Sequence, residues 1–358
     1  MSSTPQKTSS RKQEHVELCV QERVSFRKKT SGFESIALRH NALPEIDLSD
    51  VSTETSFLGK KIAQPLMISC MTGGYADAER INRELAEVCA ECQIPMGVGS
   101  QRQALEKTDF HESFRVVRKA APSLPITANI GGAEVAKPRV REQLRAIVDM
   151  IEADALTIHL NPLQELLQPE GSPRFRGVLA GIEEISTTIG VPIIAKEVGA
   201  GLDADVMQRL FNAGVHILDV AGAGGTSWAG VEILRSTGNA PEDPYKEAFW
   251  DWGLTTVECL QAASALRSTD ESFRQRAFII ASGGITSGLD VAKSLALGAN
   301  MAAAARPFLQ MLMEHGQKAL ASMIHGWHFQ LRGAMFLTGS TNVEAMRLGN
   351  TSNNVQGL

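Results

Sequence analysis

His159, Asn161, Gln164 and Glu165 fall within seven residues, HLNPLQE, directly after the apolar run ALTI. In an extended chain side chains alternate, so His159 and Asn161 share one face while Ile158 and Leu160 point to the other. Imidazole, amides and a carboxylate gathered at the end of an apolar strand are equipped to hold a polar ligand. Lys196 is a sharper case. It interrupts VPIIAKEV, where a lone ammonium costs several kcal/mol unless an anion meets it, either a bound group or a carboxylate such as Asp219. Glu197 points the opposite way, towards covering helices.

A phosphate is the natural anion. The glycine run SGGITSG (282–288) and the small-residue stretch AAAARP (302–307) offer backbone that a phosphate can approach, because residues without a large side chain leave the amides open. A second anion site is suggested at the front of the chain, where Arg11, Lys12 and His15 stand in SSRKQEH; a solvated basic tail is the other reading. Arg102 and His159 could meet them across a pocket mouth, and Arg's fork with Lys's point charge suits a diphosphate. Glu165 would then give one carboxylate to a Mg2+ bridging the diphosphate oxygens.

These residues need a scaffold that collects them, and the sequence has one. PLMISC begins at Pro65, PMGVGS at Pro95, PITANI at Pro125 and ALTIHL at Ala155, a period of 30 residues. Each short β-prone run is followed by polar or Gly-rich residues and a helical pattern such as AERINRELAEVCAEC. PIIAKEV (192–198), HILDVAG (216–222), FIIASGG (278–284) and MAAAAR (301–306) extend the series to eight strands. Near-continuous apolar strands alternating with helices predict an α/β fold, a (β/α)8 TIM barrel with an N-terminal extension and a long insertion after strand 6; a doubly wound open sheet is the alternative. In a barrel the strand C-termini carry the chemistry, and nearly every strand here ends polar. The insertion spans roughly 223–276, with a helix from about Thr255. Tails are expected at 1–10, disordered, and at 346–358, around a single domain over 11–345.

Composition bounds the rest. Over 358 residues, 43 % hydrophobic, 21 % charged and 5 % aromatic describe a globular protein with an aliphatic core. A formal charge of −5 gives no long-range pull towards nucleic acid or acidic membranes. With no apolar N-terminal region, no run of about 18 apolar residues and five Cys, an odd count, a cytoplasmic setting is expected. Cys89 and Cys92 form C-x-x-C within a helical pattern, read as packing rather than metal or redox chemistry.

The ordered set RKQEH, MTGG, GVGSQR, HLNPLQE, KEVGAG, DVAGAGGTSW and SGGITSGLDVAKSLALGA, from about Arg11 to Phe308, resembles the type 2 isopentenyl diphosphate isomerase family. That resemblance implies an FMN-dependent (β/α)8 barrel that interconverts isopentenyl diphosphate and dimethylallyl diphosphate in isoprenoid biosynthesis. It implies FMN contacts from Met71, Thr72, Gly73, Ser100, Asn129, Lys196 and Thr226, with Gly283, Gly284, Ile285, Ala304 and Ala305 around the phosphate. It implies diphosphate binding by Arg11, Lys12, Ser100, Gln101, Arg102 and Gln164, with His15, His159 and Asn161 completing the pocket and Glu165 ligating Mg2+. Gln164, His159, Asn161 and Lys196 would form the catalytic set around reduced FMN as acid and base, Gln164 by orientation and Lys196 by stabilising the anionic reduced ring. The flavin would work reduced, NADPH being the reductant, and the chain would assemble as a homo-oligomer, tetramer or octamer, with Trp228 and the insertion as an inter-subunit lid. Ala221, Cys70 and Ala303 depart from the family pattern, where Ser, a small residue and Gly are usual.

Three other readings compete. An FMN-dependent 2-hydroxy acid oxidoreductase shares the barrel, the strand-five Lys and the phosphate site, but needs a His base beside a substrate-binding Arg after the later strands, absent from SGGI and GAGGTSW. An inosine monophosphate dehydrogenase-like barrel needs a nucleophilic Cys after strand six, and none of the five Cys stands there. A non-enzymatic flavin- or phosphate-binding barrel would not need Gln164 and Glu165, both present.

Overall fold

The computed structural model describes residues 5–20, 24–106, 108–237, 243–349 and 355–357. Eight parallel strands close into one barrel: β1 (Leu66–Ile68), β2 (Met96–Gly97), β3 (Ile126–Gly131), β4 (Ala155–Leu160), β5 (Ile193–Glu197), β6 (Ile217–Asp219), β7 (Phe278–Ser282) and β8 (Met301–Ala304), with β8 pairing back onto β1. The open-sheet alternative is excluded by that closure. β2 and β6 are shorter than the runs PMGVGS and HILDVAG suggest, and after β6 the chain turns at Ala221, φ 38°.

Which residues face inward follows from register. Met67, Ala155, Ile194, Ile217, Ile280, Met301 and Ala303 form one interior cluster with Phe57 and Ile62. The last two come from a hairpin, Thr55–Phe57 paired with Lys60–Ile62, that plugs the N-terminal mouth. Its two-residue turn puts Leu58 at φ 50° and Gly59 at φ 77°, the paired positive values that a tight hairpin turn requires. One step towards the C-terminal mouth, the same inward face turns polar: Gly131 pairs with His159, His159 with Lys196, and Lys196 with Asp219. The opposite faces of the strands bury Val98, Ala128, Ile130, Ile158 and Ala195 under the helices. Cys89 and Cys92 lie in that outer core, on the helix Ala78–Cys92.

Two departures from the expected tails are structural. Residues 5–10, expected to be disordered, are the first turns of a helix, Pro5–Val20; 1–4 lie outside the described residues. At the other end Val343–Gly349 is helical and Val355–Gly357 pairs antiparallel with Ile36–Leu38. The insertion carries the helices Trp228–Thr237, Pro244–Glu247, Thr256–Thr269 and Glu271–Arg276, residues 238–242 of it lying outside the described residues. The third begins at a capping box in which Thr255 and Glu258 exchange side-chain and backbone hydrogen bonds. Residues 24–31 strap the N-terminal helix to this insertion: Ser227 N donates to Val24 O, Trp250 Nε1 to Ser25 O, and Arg27 lies 3.5 Å over the Trp250 ring. Among the described residues no helix is long and apolar enough to cross a membrane.

Candidate active site

A cavity of about 980 Å³ opens at the C-terminal ends of the strands. Every residue expected from the sequence to touch flavin, diphosphate or metal lines it except Gln101. Gln101 is fully buried and turned away: its Nε2 donates to Ile147 O at 3.0 Å and its Oε1 accepts from Asn129 N at 3.0 Å. It supports β3 instead of contacting a ligand, so the expected diphosphate contact is corrected to a structural one.

The polar half of HLNPLQE is not strand. β4 stops at Leu160, Asn161 leaves the ladder at φ −131° and ψ 48°, and Pro162 opens a short helix, Pro162–Leu167. Proline suits the first helical position because its missing N–H would be unpaired there anyway. The turn brings Asn161 back onto Gln164 and Glu165, three and four residues on: Asn161 Nδ2 donates to Gln164 Oε1 at 3.0 Å and lies 3.4 Å from Glu165 Oε1. Glu165 Oε2 accepts from Ser172 N at 2.8 Å.

His159 is held one layer deeper. Asn129 Nδ2 donates to Val98 O at 3.1 Å, which leaves its Oδ1 to accept from His159 Nδ1 at 2.8 Å. Nδ1 therefore carries the ring proton. Burial, reinforced by Lys196, Lys12 and Arg102, pushes the imidazole down to about 4, so it is neutral at physiological pH.

The helix Pro5–Val20 supplies the cations. Arg11, Lys12 and His15 share one face by their spacing. Lys12 Nζ donates to Gly73 O at 2.8 Å and Ser100 O at 2.7 Å, tying that helix to the loops after β1 and β2. Burial, then the neighbouring charges of Arg11 and Arg102, lower its ammonium to about 7. Burial and the charge of Arg102 lower Arg11 as well, and three cations converging in this way form a site for a polyanion. Met71, Thr72 and Gly73 make the adjoining floor, where Asn82 pins the loop by donating to Thr72 O at 3.1 Å and Ser113 O at 2.6 Å.

On the far side the wall is backbone. Gly283 at φ 96° and Gly284 at φ 72° pack against the loop 222–225, and a Cβ on Gly283 would lie 2.0 Å from Gly222 O. Ala304, Ala305 and the start of the helix Arg306–Thr338 complete it, and the N-cap Ala305 gives that helix no side-chain cap. Open amides beside small residues fit a phosphate group. Lys196 Nζ reaches the cavity from β5, 3.4 Å from Asp219 Oδ2, so the carboxylate alternative for its partner is present and the lysine still lines the cavity. Glu197, on the outer face, accepts from the backbone N–H groups of Val198, Gly199, Ala200 and Gly201 and so shapes the loop after β5. Among the described residues no three His, Cys, Asp or Glu side chains converge as a metal cage.

Comparison with known proteins matches this arrangement to two sets of relatives. A family model described as FMN-dependent dehydrogenase matches residues 5–114 and 172–352. Curated proteins named isopentenyl-diphosphate delta-isomerase match almost end to end. That of Chlorobium luteolum is 49 % identical over 345 residues, covering 95 % of this chain and 94 % of the relative. Those of Chlorobaculum parvum and Nostoc sp. are 48 % and 42 % identical, each over 95 % of this chain and over 96 % and 94 % of the relative. The chain belongs to the isopentenyl-diphosphate delta-isomerase family. Solved structures share its fold at low identity: a flavocytochrome b2 variant at TM-score 0.69 and 16 % identity, covering 96 % of this chain and 85 % of that one, and a mandelate oxidase variant with an FMN adduct at TM-score 0.61 and 17 %, covering 93 % and 90 %.

Within this isomerase-family site the sequence reading missed a buried hub. Glu232, on the insertion helix Trp228–Thr237, is wholly buried. Its Oε1 accepts from Gln164 Nε2 at 2.9 Å and lies 2.9 Å from His15 Nε2, while its Oε2 accepts from Arg235 Nε at 2.8 Å. The N-terminal helix, the HLNPLQE helix and the insertion therefore meet on one carboxylate. Its signal was legible: Glu232 interrupts the apolar run WAGVEIL, the same anomaly that marks Lys196. The rim residues Arg174 and Arg176, on the loop leading to the helix Val178–Thr188, carried no such signal.

Proposed function

We propose that this chain interconverts isopentenyl and dimethylallyl diphosphate, with FMN held against the β7 and β8 ends and the diphosphate held by the N-terminal helix. One observation carries the reading: an anion site of Arg11, Lys12 and Arg102 faces a glycine-lined phosphate cradle across a single cavity.

The reaction adds a proton at the terminal methylene and removes one from C2, with no net redox change. Reduced flavin supplies an electron-rich acid/base surface next to the alkene. The protein's own groups do the rest. Arg11, Lys12 and Arg102 fix the diphosphate and thereby the alkene's distance from the floor. Neutral His159, its tautomer set by Asn129, offers Nε2 as an acceptor. Gln164 has its oxygen taken by Asn161 and one N–H by Glu232, which leaves its other N–H to orient substrate. Lys196 places positive charge against the flavin and favours its anionic reduced form. Closure by the N-terminal helix excludes water from a site where a carbocation-like centre develops.

The finer assignments belong to the same proposal. Glu165 would give one carboxylate to a Mg2+, an ion that needs few protein ligands, in keeping with a single acidic side chain on the HLNPLQE helix. NADPH serves as reductant, the chain works in the cytoplasm, and it assembles as a homo-oligomer, tetramer or octamer, with the exposed Tyr245 and Trp252 on the insertion as contact residues.

Visible spectroscopy on purified protein, followed by anaerobic incubation with isopentenyl diphosphate, Mg2+ and either NADPH or dithionite, tests this. Flavin absorbance with isomerisation only after reduction supports it. Turnover of a 2-hydroxy acid with the diphosphate untouched overturns it. Glu165→Gln is expected to raise the Mg2+ requirement at least tenfold, about 1.4 kcal/mol of metal affinity.

A further inference from the structure

Lys196 has three protein partners. Its Nζ donates to Glu197 O at 3.0 Å and Ser282 Oγ at 3.3 Å, and lies 3.4 Å from Asp219 Oδ2. The Ser282 hydroxyl in turn donates to Asp219 Oδ1. Three neighbouring strands thus contribute one side chain each to a closed cycle, fixed by register: Lys196 sits beside Asp219, and Asp219 pairs with Ile280, two residues before Ser282. Lys196 and Ser282 line the cavity, whereas Asp219 stands behind them, 3 % exposed.

A buried ion pair is a poor way to glue a barrel. Aliphatic side chains pack such a layer at least as well, and the desolvation of both charges offsets most of their attraction. The neighbouring interior cluster is apolar throughout. What the pair does that aliphatic residues cannot is set the field at the cavity wall. A bare ammonium there would favour a negatively charged flavin strongly; a carboxylate on its far side subtracts from that field and holds the lysine on a fixed line through Ser282.

We infer that Asp219 is a positioning residue that sets the flavin's reduction potential through Lys196, with Ser282 as the clamp. The inference rests on the FMN reading above. Loss of the carboxylate leaves the ammonium uncompensated, the reduced flavin is favoured, and the midpoint potential moves to a more positive value.

Redox titration of FMN-loaded protein against indicator dyes tests it. Asp219→Asn keeps the shape and removes the charge. At the wild-type midpoint its reduced-to-oxidised ratio is expected to rise roughly tenfold, the effect of one charge removed beside a buried titrating group. In a Lys196→Met background the same substitution is expected to leave the potential unmoved, since the lysine transmits the effect. Ser282→Ala, which releases both partners without removing a charge, is expected to shift the potential in the same direction by less, and decides the matter alone if Asp219→Asn does not fold. An unchanged potential in the flavin-loaded variants, or equal shifts with and without Lys196, overturns the inference and leaves the isomerase reading standing. A wild-type protein that binds no flavin overturns both.

Discussion

Replacing Glu232 by Gln keeps the shape of the hub and removes its charge. Burial pushes this carboxyl up, but the hydrogen bond and charge of His15, the amide of Gln164 and the charge of Arg235 outweigh it and lower it from 4.5 to about 2. A carboxyl lowered on folding contributes stability that is fully present above its unfolded value and is lost as pH falls through its folded value. The gap of about 2.5 pH units, at about 1.36 kcal/mol each, amounts to roughly 3 kcal/mol. Arg235 keeps Glu170 Oε2 at 2.6 Å after the substitution, so no orphaned guanidinium adds to the loss, as it does where a broken buried pair costs about 3–5 kcal/mol. Urea unfolding of wild type and Glu232→Gln, stepped from about pH 7 to about pH 3, reads the effect. The variant is expected to be less stable by roughly 3 kcal/mol at neutral pH, the gap narrowing below about pH 4.5 as the wild type loses what the variant never had. A gap that stays constant with pH, or is absent at pH 7, refutes the assignment of the hub. Isomerisation should fall too, because a neutral amide oxygen holds the Gln164 amide less firmly than the carboxylate does.

Further outcomes follow from the same geometry. Because Lys12 titrates near 7, it is charged below that pH and must take up a proton on meeting an anion above it. Inorganic pyrophosphate affinity should therefore fall by up to about tenfold per pH unit above 7, and Lys12→Gln should flatten that dependence in calorimetric titrations. Gly283→Ala places a Cβ 2.0 Å from Gly222 O at φ 96°, so flavin retention during ultrafiltration should be lost. Gly326→Ala, whose Cβ would meet nothing within 4 Å, should retain flavin and gain about 0.5–1 kcal/mol of helix stability. His159, lowered to about 4, should show no protonation step between about pH 5 and pH 8 in imidazole NMR, whereas Asn129→Ala should release Nδ1 and raise KM for the diphosphate.

The barrel was legible because its signal is periodic: a β-prone run every 30 residues from Pro65 to Ala155 leaves little choice of architecture. Strand-end chemistry came with it, since parity along each strand decides which side chains face inward, and His159, Lys196 and Asp219 fall on one level. What the sequence hid is non-local or helical. Nothing in SSRKQEH says that residues from Pro5 are helical, because the helix depends on docking against the mouth rather than on an apolar stripe of its own. HLNPLQE reads as strand until Pro162 is given its role as a helix start. Gln101 misled for a related reason: a polar residue at a strand end is as able to satisfy neighbouring backbone as a ligand, and the carbonyl of Ile147 and the N–H of Asn129 claim it. Glu232 lies 68 positions from Gln164, a pairing no local pattern reveals.

The isomerase reading requires this cavity to move protons on an isoprenoid diphosphate without net redox change. Anaerobic incubation of isopentenyl diphosphate with dithionite-reduced, FMN-loaded protein and Mg2+ in D2O, followed by NMR, reads that proton movement. Deuterium should enter the methyl group of dimethylallyl diphosphate and, through the reverse reaction, C2 of isopentenyl diphosphate; isopentenyl diphosphate recovered unexchanged would refute the isomerase reading.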